Sequence, residues 1–192
     1  MNSATAYRAV LDQLTSQWQV MRDECARLDR RNILPINRED KDHEQVYQEI
    51  KASGKLGWVS AWGPSRDLWF NFPLLLNDTM FPGIEDLCPR THALLSRLSG
   101  VKVAALALFK PHAWLPPHDH PELELERLLT YHLGLEMSDD YCYLWCNGRF
   151  LKEQTGKSIV FEGWKDHFAF NYSNRDRLIL YMEFSPERLA LK

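Results

Sequence analysis

The first long patterned run covers residues 4–29, where Tyr7, Val10, Leu11, Leu14, Trp18, Met21, Cys25 and Leu28 recur at steps of three and four. That spacing places them on one face of a helix, and a stripe of this kind packs against a core. Pro35 marks residues 33–38 as a loop. A second, more polar helix is predicted over residues 43–52, with Gly54 as its stop. The pattern then changes character. Trp58, Val59, Trp62, Leu68, Trp69, Phe70 and Phe72 are strand formers around the turn signal Gly63-Pro64, which predicts two strands. Trp58, Trp62 and Trp69 read as core aromatics, with a substrate mouth as the alternative. Pro89 suits a first helical position, and Gly100 follows a helix predicted over residues 89–98.

Beyond Val101 no long helical pattern returns. Strands are predicted over residues 101–110, 128–135, 141–146, 158–162, 166–171 and 177–184, joined by polar turns such as Asn147-Gly148. Short, closely spaced strands suit an antiparallel barrel or jelly roll. The expected fold is therefore mainly β with flanking helices and an N-terminal helical segment. No repeat, low-complexity tract or linker splits the chain. It reads as a single domain over residues 1–192, with residues 1–80 packed on a barrel core of residues 81–192.

Composition changes this picture little. With 192 residues, 45% apolar and 26% charged, the chain can bury a proper core. A net charge of −3 lacks the basic excess of a nucleic-acid or membrane-surface binder. No run of about 18 apolar residues offers a membrane span, and the first residues lack the apolar stretch of a signal peptide. A soluble, cytoplasmic protein is expected, its oligomeric state left open. The four cysteines, Cys25, Cys88, Cys142 and Cys146, form no CxxC pair and have no histidine at zinc-finger spacing. They read as reduced thiols.

The candidate chemistry lies in three histidines and one arginine that a β-barrel can bring together. On a strand, side chains two apart share a face. His132 then lies with Leu128, Thr130 and Gly134, opposite the bulkier Leu129, Tyr131, Leu133 and Leu135. His167 shares a face with Ala169 and Asn171, opposite Phe168 and Phe170. Two strands with the same segregation predict a polar pocket inside the barrel. In LPPHDHPE, two prolines stiffen the approach to His118, and His118, Asp119 and His120 are all candidate ligands. Imidazole with carboxylate suits iron(II), other mid-row divalent ions or zinc. A two-His, one-carboxylate triad wants its carboxylate two residues after the first histidine, where this chain has His120. A solvated acidic loop is the plain alternative, as PELELE follows. Arg177 shares a face with Ile179 and Tyr181, and its planar fork suits a bound carboxylate. A salt bridge to Glu162 or Glu183 is the structural alternative.

FPGIEDLCPRTHALLSRL, LPPHDHP, HLGL and FEGWKDHFAFNYSNRDR together resemble the aspartyl/asparaginyl β-hydroxylase family of iron(II)- and 2-oxoglutarate-dependent oxygenases, over residues 81–184. The resemblance implies a double-stranded β-helix, with His118 and His167 as iron ligands and His132 and Arg177 holding 2-oxoglutarate. The family often leaves the coordination position of His120 to water, so His120 is an optional third ligand. It also implies hydroxylation of a C–H bond in an amino-acid-like, small-molecule or peptidyl substrate. Three positions depart from the pattern. Thr130 stands where many relatives carry arginine, with Arg127 the nearest replacement; Ala107 stands for a co-substrate serine; and extra residues separate His118 from His132. A cupin-like metal enzyme without 2-oxoglutarate and a non-catalytic barrel remain as alternatives.

Overall fold

The computed structural model describes residues 3–38, 41–61, 63 and 65–192. Its chain begins with α1 (Ser3–Ser16) and α2 (Trp18–Cys25). The sequence predicts one helix here, and the structure breaks it at Gln17, whose backbone leaves the helical region at φ −98°, ψ 11°. The stripe survives the break: Tyr7, Leu11, Leu14, Met21 and Cys25 are all buried in the main core. Helix α3 (His43–Ser53) opens with a capping box, Asp42 accepting from the Gln45 N–H while the Gln45 side chain accepts from that of Asp42. It stops at Gly54, which takes the left-handed conformation at φ 64°.

Strands β1 (Val59–Ser60), β2 (Trp69–Leu76) and β3 (Thr79–Met80) precede the short helices α4 (Ile84–Leu87) and α5 (Pro89–Leu95). The predicted helix over residues 89–98 ends early because β4 (Leu98–Ser99) pairs with the C-terminal β13 (Ala190–Leu191). Then follow β5 (Val101–Phe109), β6 (Trp114–His118), α6 (Pro121–Leu125), β7 (Leu129–Glu136), β8 (Cys142–Cys146), β9 (Arg149–Lys152), β10 (Ser158–Phe161), β11 (His167–Asn171) and β12 (Arg177–Phe184). Two of these strands were not predicted from the sequence. Strand β6 carries Pro116 and Pro117, which a strand tolerates because it sits at a sheet edge, bonded to β11 alone. Strand β9 is short and largely exposed, and it closes a hairpin on β8 through Asn147 and Gly148, both at positive φ.

The strands form two main antiparallel sheets. The larger runs β1-β2-β5-β12-β7-β10, with β3 on β2; the smaller runs β6-β11-β8-β9. Strand β2 lies between β1 and β5, so residues before position 81 supply a strand to the larger sheet. One face of that sheet, with Tyr131, Leu133, Leu135, Leu178, Leu180 and Met182, packs under the helices in the main core. The other face meets the smaller sheet through Trp69, Phe109, Leu115, Leu144 and Ala169. This is the jelly-roll architecture that the strand spacing predicts. Trp58 is fully buried in the main core, as a core reading requires, whereas Trp69 lines the cavity between the sheets. Trp62 lies outside the described residues. Among the described residues, no helix is long and apolar enough to cross a membrane.

A candidate metal centre beside a carboxylate-binding pair

Between the sheets lies a cavity, partly open to solvent. Its lining brings together His118, His120, His132, His167 and Arg177, positions spread over sixty residues of chain.

The smaller sheet builds one end. Strands β6 and β11 pair antiparallel with His118 directly opposite His167. Their ring centroids are 4.1 Å apart, and His120 completes the group at 5.0 Å from His118 and 5.5 Å from His167. The three residues offer ligand nitrogens within 4.8 Å of one another. Each ring is held through Nδ1. That of His118 lies 2.9 Å from the Pro116 carbonyl, that of His167 2.8 Å from the Lys165 carbonyl, and that of His120 3.2 Å from Glu122 Oε1. A carbonyl or carboxylate only accepts, so each Nδ1 carries a proton. Burial, then the neighbouring His118, pushes His167 down to about 3, so this imidazole is neutral at ordinary pH. Neutral imidazoles oriented by hydrogen bonds to their far nitrogen are the form that ligates a metal. Three imidazoles suit iron(II), zinc or another divalent transition ion, and the residues present fit such an ion. Asp119 is exposed and takes no part in the group.

The larger sheet builds the other end. His132 on β7 lies opposite Tyr181 on β12, and Arg177 stands on the same face of β12 four residues before Tyr181. Their partner is Glu153, which the sequence reading missed. Arg177 donates Nε to Glu153 Oε2 and Nη2 to Oε1, both at 2.6 Å, while His132 Nδ1 lies 3.0 Å from Oε1. The expected alternatives go elsewhere: Glu162 is exposed, and Glu183 accepts the Tyr181 hydroxyl at 2.6 Å. Burial would raise the Glu153 carboxyl, but Arg177 and His132 override it and hold it at about 2. Burial lowers His132, reinforced by Arg177 and opposed by Glu153, so the ring is neutral with its proton on Nδ1. The guanidinium also lies over the Phe109 ring, 4.6 Å from its centroid.

One sequence signal does point towards Glu153. Gly134 in HLGL sits inside a strand, which often marks a close backbone approach. A Cβ at Gly134 would strike the Gln154 carbonyl, so the glycine lets the loop carrying Glu153 settle against β7. Asn171, which lies between His167 and Arg177 in FEGWKDHFAFNYSNRDR, is structural. Asn171 donates to the carbonyls of Phe109, Lys110 and Arg175 and accepts from Ser173, clamping the turn that delivers Arg177. At the departing positions, Thr130 is buried with no hydrogen-bond partner for its hydroxyl among the described residues. Arg127 points outward, 81% exposed at its side chain and 4.0 Å from Glu187, so it does not replace an arginine at Thr130 in the cavity. Ala107 lines the cavity opposite Asn71.

A two-sheet antiparallel barrel with converging imidazoles at one end of its cavity has the architecture of the jelly-roll, cupin-like class. Within that class the chain belongs to the aspartyl/asparaginyl beta-hydroxylase family, whose profile matches residues 15–186. An ornithine lipid ester-linked acyl 2-hydroxylase of Rhizobium tropici is 29% identical over 110 residues, covering 54% of this chain and 38% of that protein's length. Among solved structures, a predicted oxalate decarboxylase of Thermotoga maritima is 14% identical at a TM-score of 0.42, over 61% of this chain and 80% of the other. A cupin domain of a transcriptional regulator from Enterobacter cloacae is 15% identical at a TM-score of 0.39, over 62% and 98%.

Proposed function

We propose that the protein is an iron(II)- and 2-oxoglutarate-dependent dioxygenase. In this reading it hydroxylates a C–H bond of an amino-acid-like or peptidyl substrate and releases succinate and carbon dioxide. The observation that carries this reading is the cluster of His118, His120 and His167 in one cavity with His132 and Arg177. Membership of a hydroxylase family supports it. His118 and His167 would hold the metal, with His120 as third ligand in place of the water that relatives often use. Bound iron(II), with 2-oxoglutarate as reductant, supplies the means of activating dioxygen. The protein's own residues do the rest. Pro116, Lys165 and Glu122 fix the three imidazoles, and Arg177 and His132 form the carboxylate-binding pair. The apolar lining, including Trp69, Phe109, Leu115 and Leu144, keeps water from the reacting centre. The R. tropici relative acts, by its name, on an acyl chain of a lipid that also carries ornithine, so a lipid substrate is the arm to test beside amino acids and peptides.

A second reading is a cupin-like metal enzyme that uses no 2-oxoglutarate. It is favoured by one observation: the donors of Arg177 and His132 expected to hold the co-substrate already bond Glu153. Anaerobic addition of iron(II) and then 2-oxoglutarate separates the two. The first reading expects the visible charge-transfer band of the chelate and, on admitting oxygen, succinate. Metal binding with neither band nor succinate would leave the second.

A further inference from the structure

The carboxylate-binding pair of the cavity already holds a carboxylate, and it belongs to the protein. Arg177, His132 and Glu153 are 1%, 7% and 3% exposed. A planar guanidinium edge faces a planar carboxylate through two parallel bonds at 2.6 Å, the arrangement expected of a bound ligand. A carboxylate entering from the cavity meets three obstacles here. The Nε–Nη2 edge of Arg177 is occupied. Neutral His132 has committed its proton to Glu153 and offers only a lone pair. The negative charge of Glu153 repels a second carboxylate in a weakly screened interior.

We infer that Glu153 is an internal occupant of the co-substrate's carboxylate slot, and that an external carboxylate reaches the Nε–Nη2 edge of Arg177 only by displacing it. Glu153 is then a specificity-determining residue. It sets how tightly 2-oxoglutarate binds and discriminates against carboxylates that bring no second anchor at the metal. This inference rests on the reading of Arg177 and His132 as the 2-oxoglutarate holders. The exchange is a rotation of the Glu153 side chain rather than an opening of its loop, because the loop backbone is tied down. Gly134 donates to the Lys157 carbonyl at 3.0 Å, Gly156 to the Gly134 carbonyl at 2.8 Å, and Glu153 to the Cys142 carbonyl at 3.0 Å.

The test is calorimetric titration of 2-oxoglutarate into wild type and E153Q, both loaded with redox-inert zinc(II). Glutamine keeps the shape of Glu153 and an acceptor for Arg177 but removes the charge. E153Q is expected to bind 2-oxoglutarate about tenfold tighter or more. Where wild type binds 2-oxoglutarate, equal or weaker binding in E153Q overturns the inference and makes Glu153 a residue that positions Arg177 for the ligand. A second measurement needs no metal. E153A leaves Arg177 without its counter-charge, so its melting temperature should fall and be largely restored by millimolar acetate entering the vacated slot. An absence of rescue also overturns the inference. Rescue by acetate together with no 2-oxoglutarate binding in either zinc-loaded protein supports the slot while rejecting the co-substrate reading.

Discussion

At the end of the cavity built by β6 and β11, three imidazoles are tethered through Nδ1 and brought together in one small space. At the end built by β7 and β12, the Arg177 edge and the His132 proton are met by Glu153. Both ends are assembled from distant residues and both are largely buried. They differ in the groups that each brings together. Three imidazoles at one point form a donor set that suits a cation, whereas the guanidinium fork already carries a carboxylate. The imidazole end thus has a donor set that could hold a metal ion, while the carboxylate end is paired within the protein. Recognising a binding residue by type does not reveal whether its partner comes from outside.

The comparison is broken most severely at the carboxylate end. R177M strands Glu153 as a buried, unpaired charge and should cost about 3–5 kcal/mol of stability. The double substitution with E153Q should recover much of that loss, read from urea denaturation midpoints. If R177M is neutral, the pair is not the closed unit described. Acid should act on the same pair. Glu153 is held at about 2 against an ordinary 4.5, so its contribution is present above about pH 4.5 and is lost as pH falls towards 2. About 3 kcal/mol should disappear across that window in wild type. E153Q should lack that component, measured as stability against pH.

The imidazole end should respond in metal affinity rather than in stability. H118A or H167A should weaken zinc(II) or iron(II) binding at least about a hundredfold, measured by calorimetry and metal content, with little loss of fold. Retained affinity in both would remove the metal assignment. The smallest effect sharpens the role of the tether. E122Q should weaken metal binding about tenfold, because His120 loses a charged partner for Nδ1 while its Nε2 remains.

Much of the strand pattern in both sheets was legible because side chains alternate simply along a strand. Arg177–Phe184 is delimited as predicted, and the faces of β7 and β11 divide between pocket and bulk as the spacing of His132 and His167 implies. Strand β6 was not legible, since two prolines argue against a strand unless its place at a sheet edge is known. That edge pairing is what sets His118 opposite His167. His120 has the same history. Its sequence position suggests the missing carboxylate of a triad, and only the turn after β6 brings its ring within reach of the other two.

Glu153 marks the limit of the one-dimensional reading. It lies in an ordinary polar loop, KEQTGK, 24 residues from Arg177 and 21 from His132. By itself the sequence determined the periodicities, the turn residues and the types of chemical group, because these follow from local backbone geometry and side-chain chemistry. Tertiary structure alone decided that Gly134 admits the loop, that Glu153 seats on Arg177, and that three imidazoles converge while one is withheld. Those outcomes depend on which distant surfaces meet, and burial then makes each unmet donor or charge costly enough to find a partner.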